Sequence, residues 1–192
     1  MEQKYLIQSG FTRVFHWLFA VSVFILIASG FYIHRPVNLG NVFNMGTNIL
    51  IQTSVGFIAA GVFISWVYFN IVTQAYQDIL FRWRDLRDFK GLMKYYLFIE
   101  KKPPVHGKYN SGQRLIFTSW VIVFIIMLLT GLLLYSTSHG LVLPVPVIDQ
   151  KVRFYHFLGA LWFVGTVPLH IYLVVTEDPA KLQAMITGWI KK

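Results

Sequence analysis

The 192-residue chain contains no cysteine. This absence excludes iron–sulfur clusters, thiolate-held zinc, covalently attached c-type haem and disulfide bonds from the chain. Any bound metal must therefore be held by histidine, methionine or oxygen ligands. Acidic residues are also scarce, with eight against 17 basic residues, so the formal net charge is +9.

Charged residues make up only 13% of the chain, whereas apolar residues make up 56%. This balance lies far outside the range of soluble domains and predicts an integral membrane protein. The first apolar run follows Lys4 and Arg13 and lacks a small-residue cleavage pattern before Pro36. We therefore interpret it as a retained span rather than a signal peptide.

Four uncharged or weakly charged stretches are long enough to cross a bilayer as helices. They cover residues 14–34, 49–72, 115–137 and 152–175. The sequence thus predicts an all-α fold, an integral membrane four-helix bundle formed by a single membrane domain over residues 1–192. Beyond the last span, the tail is expected to form a short helix up to Trp189.

A polar connection, residues 78–114, separates the second span from the third. Apolar residues recur in it at three- and four-residue spacing from Ile79 to Tyr96. This pattern predicts an amphipathic helix lying in the cytoplasmic membrane interface, which Pro103 and Pro104 are expected to end. The connection also holds nine basic residues: Arg82, Arg84, Arg87, Lys90, Lys94, Lys101, Lys102, Lys108 and Arg114.

The basic residues are distributed unevenly between the two sides of the predicted membrane. Four spans place both termini and the polar connection on one side, which holds all basic residues except Arg35, Lys151 and Arg153. The positive-inside rule assigns that side to the cytoplasm. Topology and attraction to anionic membrane lipid explain this charge, with a docking surface for a partner protein as the alternative. Nothing in the sequence indicates binding of nucleic acid.

Histidines stand at matching depths on two spans. His156 and His170 are separated by nearly four helical turns, or about 21 Å of rise, so both lie on one face near opposite ends of the fourth span. His16, at the start of the first span, has the depth of His170. Because histidine is costly inside a bilayer and usually has a partner there, this pair predicts bis-histidine ligation of a haem iron. Hydrogen-bonded packing is the alternative.

His156 needs a partner at the outer depth if it also ligates iron. Gln52 is the strongly polar residue at that depth in the second span, although an amide oxygen is a weak haem ligand compared with imidazole. His34 and His139 are the other candidates, and exposed interfacial histidines are the alternative reading of both. Gly30 offers bare backbone at the same level, suited either to a flat porphyrin or to close helix packing.

A polar segment, Lys108-Tyr-Asn-Ser-Gly-Gln-Arg114, stands just before the third span on the cytoplasmic side. The amides of Asn110 and Gln113, with backbone exposed at Gly112, are suited to hydrogen-bond a quinone carbonyl. A turn at the start of the helix is the alternative. Haem propionates are suited to pair with Arg13 and Arg114 on the cytoplasmic side, or with Arg35, Lys151 and Arg153 on the outer side. Snorkelling membrane-edge cations are the alternative.

These motifs together resemble the cytochrome b (gamma) subunit of membrane-bound formate dehydrogenases and the related b-type cytochromes of respiratory [NiFe] hydrogenases and thiosulfate reductases. The resemblance covers nearly the whole chain. It rests on Phe11-Thr-Arg-Val-Phe-His-Trp17, on Thr130-Gly131, and on the spacing of His156 and His170. It is most specific in Lys108–Arg114, which is similar to the family pattern K-Y-N-x-G-Q-K.

The resemblance implies a subunit with two b haems that passes electrons between an iron–sulfur partner at the outer face and menaquinone or ubiquinone on the cytoplasmic side. It implies that His16 and His170 ligate the inner haem, and that His170 and the Asn110 region border the quinone. It also implies that His156 ligates the outer haem, whose second ligand in the family is a histidine at the position of Gln52. An alternative ligand, five-coordinate iron and no outer haem all remain open here.

The sequence therefore predicts a b-type cytochrome subunit of a respiratory oxidoreductase complex in a bacterial or archaeal cytoplasmic (inner) membrane, with cytoplasmic N- and C-termini. The primary catalytic site is expected on a separate catalytic subunit, reached through an iron–sulfur electron-transfer subunit. Two alternatives remain. One is a haem-poor or haem-free structural anchor, which Gln52 keeps open, and the other is a free-standing quinol-oxidising cytochrome b.

Overall fold

A computed structural model describes residues 4–37, 44–102, 104, 107–140 and 149–191 of the chain. In chain order its elements are strand β1 (Lys4–Leu6), helices α1 (Gly10–His34), α2 (Met45–Val72), α3 (Tyr76–Ile79), α4 (Asp85–Tyr96), α5 (Ser111–Ser138), α6 (Asp149–Thr176) and α7 (Pro179–Thr187), and strand β2 (Trp189–Lys191). Four of these helices, α1, α2, α5 and α6, are long and apolar enough to cross a membrane. The predicted all-α membrane fold is confirmed.

Each spanning helix is longer than the apolar stretch that predicted it, because polar residues complete its first turn. Helix α1 begins at Gly10 rather than at residue 14, and its N-cap is Ser9, whose side chain accepts a hydrogen bond from the Thr12 amide at 3.1 Å. Such a cap satisfies one of the amides that lack a partner at a helix start. Hydropathy alone therefore located the spans but not their ends.

The chain divides into two compact units. One comprises Met1–Val67 with Ile126–Lys192, and the other comprises Tyr68–Ile125. Helices α2 and α5 contribute residues to both units. The organisation as one membrane domain stays a prediction.

In the first unit, the two ends of the chain pair with each other. Strands β1 and β2 are antiparallel, with Lys4 opposite Lys191 and Leu6 opposite Trp189. The expectation of a helix up to Trp189 is wrong at its end, since α7 stops at Thr187 and the next residue is part of a turn. The sequence analysis did not predict this small sheet.

Gly188 explains why the tail helix ends early. Its φ of 91° lies in the left-handed region, which glycine adopts without the steric cost that a Cβ brings. Its carbonyl then accepts hydrogen bonds from the amides of Ile7 and Gln8, at 3.0 and 3.2 Å. One glycine thus closes the tail onto the segment that precedes α1.

In the second unit, the predicted amphipathic helix is shorter than expected. The periodic stretch from Ile79 to Tyr96 is interrupted, because α3 ends at Ile79, Leu80 is extended and α4 begins only at Asp85. The Asp85 carboxylate accepts a hydrogen bond from the Arg82 amide, which precedes the helix, at 2.8 Å. Helix α4 ends at Tyr96, well before the predicted stop at Pro103, and Phe98 just beyond it has a positive φ of 59°. Pro103 itself lies outside the described residues.

Candidate functional site

His16 and His170 lie on neighbouring helices of the first unit, as their matched depths predicted. Helix α1 carries His16, α6 carries His170, and the two helices pack against each other. Both side chains are half-buried. The structure therefore brings together the two residues that were predicted to ligate one metal.

The surroundings of His16 leave a ring nitrogen without a partner. Its Nδ1 is buried and has no hydrogen-bond partner among the residues that the structure describes. The ring meets Trp17 edge-on, with 5.1 Å between ring centroids. A buried polar atom without a partner costs free energy, so this imidazole is suited to interact with a group that the protein itself does not supply.

The donor set of this pair fits haem b. Two imidazoles from facing helices can supply both axial ligands, and the porphyrin supplies the other four. A metal held by protein ligands alone is less suited to the chain, because no group of three or more histidine, aspartate or glutamate residues gathers within the described ranges. Ligation by His16 and His170 nevertheless stays a prediction.

The C-terminal tail covers the start of α1 beside this pair. Arg13 donates a hydrogen bond from Nη1 to the Ile186 carbonyl at 2.8 Å, and Trp17 donates from Nε1 to the Met185 carbonyl at 3.2 Å. Both donors flank His16 in the sequence. The tail therefore fixes the segment of α1 that carries the histidine.

His156 is held by a hydroxyl group on α5. Its Nδ1 lies 2.8 Å from Thr130 Oγ1, and that hydroxyl donates its proton to the Ile126 carbonyl at 2.7 Å. When the hydroxyl proton is used in this bond, the imidazole donates from Nδ1 and keeps the lone pair on Nε2. A Cβ on Gly131 would lie 3.4 Å from His156 Cε1, so the glycine lets α5 approach the ring.

Gln52, on α2, contacts helix α1. Ser29 donates a hydrogen bond from Oγ to Gln52 Oε1 at 2.5 Å, and a Cβ on Gly30 would lie 3.7 Å from the same oxygen. The Gln52 amide thus covers the bare backbone that was a candidate surface for a porphyrin. Ser29 was not predicted, since nothing in the sequence pattern distinguishes it from other small residues of the span.

The remaining two candidates for the outer ligand also have contacts of their own. His34 stacks on Phe157 with ring centroids 4.1 Å apart. His139 Nδ1 lies 2.9 Å from the Tyr135 carbonyl. Both histidines are exposed, as their alternative reading expected. It stays a prediction that an outer haem held by His156 takes its second ligand from Gln52, His34 or His139.

The predicted quinone-binding residues of the second unit form the start of α5. Asn110 Oδ1 accepts from the Gln113 amide at 2.8 Å, and Gln113 Oε1 accepts from the Asn110 amide at 3.1 Å. This reciprocal pair is a capping box, so the turn that was the alternative reading is present. A Cβ on Gly112 would lie 2.9 Å from Leu92 Cδ2, so a larger residue here would require the Leu92 side chain of α4 to shift.

A buried ion pair of the second unit was not predicted. Arg114 Nη1 lies 3.4 Å from both carboxylate oxygens of Asp85, and both side chains are largely buried. Their spacing in the sequence carries no signal for such a pair. Beside it, the rings of Tyr109 and Phe117 meet edge-on with centroids 5.2 Å apart. Aromatic rings and amides therefore stand together at the start of α5.

Comparisons with a family model and with known proteins both identify b-type cytochromes as similar to this chain. Residues 7–188 match the family described as prokaryotic cytochrome b561. A relative from Azotobacter vinelandii, named probable Ni/Fe-hydrogenase B-type cytochrome subunit, is 28% identical over 92% of this chain and 84% of its own length. A Bradyrhizobium diazoefficiens protein of that name is 25% identical over 93% and 81%. One from Escherichia coli K12, the probable Ni/Fe-hydrogenase 1 B-type cytochrome subunit, is 24% identical over 92% and 86%. These relatives bear the name of the hydrogenase cytochromes and not that of formate dehydrogenase subunits.

Proposed function

This chain belongs to the prokaryotic cytochrome b561 family, and from this premise we propose that it anchors a respiratory oxidoreductase complex and relays electrons for it. A b-type cytochrome with four helices suited to span a membrane fits such a role. The names of the relatives point to a Ni/Fe-hydrogenase as the complex. The primary catalytic site then lies on a partner chain.

The pairing of His16 with His170 is the observation that carries the proposal. Haem b, when bound, supplies a one-electron carrier. His16 on α1 and His170 on α6 would hold it through their imidazoles, and with both bound the iron would stay closed to water and small ligands. The tail contacts that flank His16 keep its ring in place. This inner site is the electron-transfer centre that we propose.

His156 is proposed as a ligand at the outer level. Its Nδ1 is hydrogen-bonded to the Thr130 hydroxyl on α5, so Nε2 is the nitrogen left to ligate iron. Ligating histidines are commonly oriented by such a hydrogen bond from the other ring nitrogen. Gln52, His34 and His139 remain the candidates for a second ligand, and the hydrogen bond between Gln52 and Ser29 disfavours the first. Haem stoichiometry decides between one and two carriers.

Quinone binding is proposed at the start of α5. Asn110 and Gln113 present amides there, and Tyr109 and Phe117 supply aromatic rings. The amides and aromatic rings suit the carbonyls and ring of menaquinone or ubiquinone, and Gly112 stays a candidate only from the sequence, since α4 packs against it. The role of His170 beside the quinone stays a prediction.

The proposed partners are an iron–sulfur electron-transfer subunit and the catalytic subunit of the same complex. We place the chain in the cytoplasmic membrane of a bacterium or archaeon, with both termini in the cytoplasm. Two observations support this orientation. The basic residues are concentrated on the side of the termini, and strands β1 and β2 join the two chain ends.

Reduced-minus-oxidised difference spectra of the purified complex test the inner site. We expect His16→Ala and His170→Ala each to remove the same low-spin haem signal, whereas the exposed control Trp83→Phe leaves it in place. Unchanged haem content in both of the first two variants would contradict the assignment.

Pyridine haemochrome quantitation per polypeptide tests the relay itself. Two haems support a relay at both depths, and one haem supports a relay that operates at the inner depth. A chain that binds no haem would be a structural anchor, which would overturn the proposed function. Purification without partner subunits, together with reduction by a quinol analogue, would favour a free-standing cytochrome instead.

A further inference from the structure

Arg13 has a guanidinium group that the protein fixes but does not fully satisfy. It donates from Nη1 to the Ile186 carbonyl at 2.8 Å, and a Cβ on Gly188 would lie 3.5 Å from its Cζ. Its Nε is buried and has no hydrogen-bond partner among the described residues. A donor that is held in place without an acceptor indicates an interaction with a group outside the polypeptide.

The charge of Arg13 takes part in no ion pair with the residues that the structure describes. Within the described ranges, the ion pairs join other residues: Lys94 with Glu100, Arg114 with Asp85, and Lys181 with Asp178. A half-buried cation without a counter-ion is costly, because it has lost part of its hydration and gained no opposite charge. An anion that binds at this position would lower that cost.

The position of Arg13 relative to His16 specifies which anion. Residues three apart on a helix lie on the same side of it, with about 4.5 Å of rise between them. A haem held by His16 therefore has its edge within reach of the Arg13 side chain. The carboxylates of haem are its two propionates, and arginine binds carboxylates through two parallel hydrogen bonds.

We propose that Arg13 binds a propionate of the haem that His16 and His170 hold. The proposal rests on the proposed function, since it requires that haem. Arg13 joins the haem edge to the C-terminal tail, because the same guanidinium contacts Ile186. A phospholipid phosphate is the other anion of suitable chemistry, but the tail covers the guanidinium and favours an anion that comes from inside the protein.

A double-mutant cycle between protein and cofactor tests the contact. Apoprotein of the wild type and of Arg13→Gln is reconstituted with haem b and with its dimethyl ester, whose propionates carry no charge. Arg13→Gln is expected to weaken binding of haem b by about tenfold or more, as loss of a charged hydrogen bond predicts. It is expected to leave binding of the ester unchanged.

The midpoint potential gives a second readout from the same samples. A nearby cation favours the reduced haem, so Arg13→Gln should lower the potential of haem b. Arg13→Lys, which keeps the charge and loses the planar fork, should retain part of both effects. If Arg13→Gln fails to fold, the same comparison of haem b with its dimethyl ester is made with Arg13→Lys.

Arg87→Gln is the matched control, because Arg87 is an exposed arginine on α4 with no proposed role at a haem. It should alter neither reconstitution. Equal effects of Arg13→Gln on haem b and on the ester would overturn the proposal and point to a lipid phosphate or a purely structural role. A wild-type protein that binds no haem would contradict the proposed function instead.

Discussion

The indole Nε1 of Trp17 donates a hydrogen bond to the backbone carbonyl of Met185 at 3.2 Å, across 168 residues of sequence. It joins the helix that carries His16 to the tail helix α7. The pairing of β1 with β2 joins the same two segments a few residues further on. The tail is thus part of the structure that positions the inner histidine.

Trp17→Phe is expected to destabilise the protein by about 1 kcal/mol, because it removes this hydrogen bond and keeps most of the ring. Thermal unfolding in detergent measures the change. Trp83→Phe is the control, since Trp83 is 92% exposed and its replacement removes no described contact. Equal melting temperatures for both variants would show that the contact with Met185 contributes nothing.

The sequence predicted the spanning helices because their signal is local. A run of about 20 apolar residues identifies a span, and the helical period sets His156 and His170 on one face. The pairing of Lys4–Leu6 with Trp189–Lys191 has no such signal, since each strand is only three residues long and its partner lies at the other end of the chain. Gly188 could be read from the sequence, but its role in closing the tail depends on its hydrogen bonds with Ile7 and Gln8.

The same difference applies to the candidate site. Matched depth predicted that His16 and His170 would come together, because antiparallel helices fix depth from the sequence alone. Ser29 and Thr130 bond to Gln52 and His156, and these contacts depend on helix rotation, which the sequence does not encode in a simple period. Hydroxyl partners of this kind became visible only in the structure.

Asp85→Asn is expected to destabilise the second unit by about 3 kcal/mol, because it leaves the buried Arg114 guanidinium without its carboxylate. It also weakens the hydrogen bond that the Asp85 side chain accepts from the Arg82 amide. Asp88→Asn is the control, since Asp88 lies exposed on the same helix. Chemical denaturation followed by circular dichroism measures both. A loss no larger than that of the control would show that the ion pair is energetically unimportant.

Gly112→Ala is expected to cost about 1 kcal/mol or more, because the new Cβ would stand 2.9 Å from Leu92 Cδ2. In a Leu92→Ala background the same change should cost less, since the clash is gone. Gly61→Ala is the matched control within a helix, because open space surrounds its Cβ position. Melting temperatures are compared for the wild type, Gly112→Ala, Leu92→Ala, the double variant and the control Gly61→Ala. Equal costs in both backgrounds would place the strain elsewhere.

Asn110→Asp separates the two roles proposed for this residue. A carboxylate still accepts the Gln113 amide hydrogen bond, so the helix cap is kept and stability should change by less than about 0.5 kcal/mol. The NH₂ donor is lost, so affinity for a quinol analogue should fall. Asn110→Ala removes both functions and should lower stability by about 1 kcal/mol as well. Wild-type quinol affinity in Asn110→Asp, measured by titration of haem reduction, would show that the Asn110 amide does not bind the quinone.

The absence of cysteine makes the proposed orientation directly measurable. Single cysteines at Arg35 and Lys102, both exposed, would be the only thiols in their chains. Because Arg35 belongs to the side poor in basic residues, Arg35→Cys should react with a membrane-impermeant maleimide in intact spheroplasts. Lys102→Cys should react only after the membrane is opened, since it lies in the basic connection. Lysis followed by labelling controls for thiol reactivity at each position. The reverse pattern would place the termini, the basic connection and the start of α5 outside the cytoplasm, and the proposed quinone site with them.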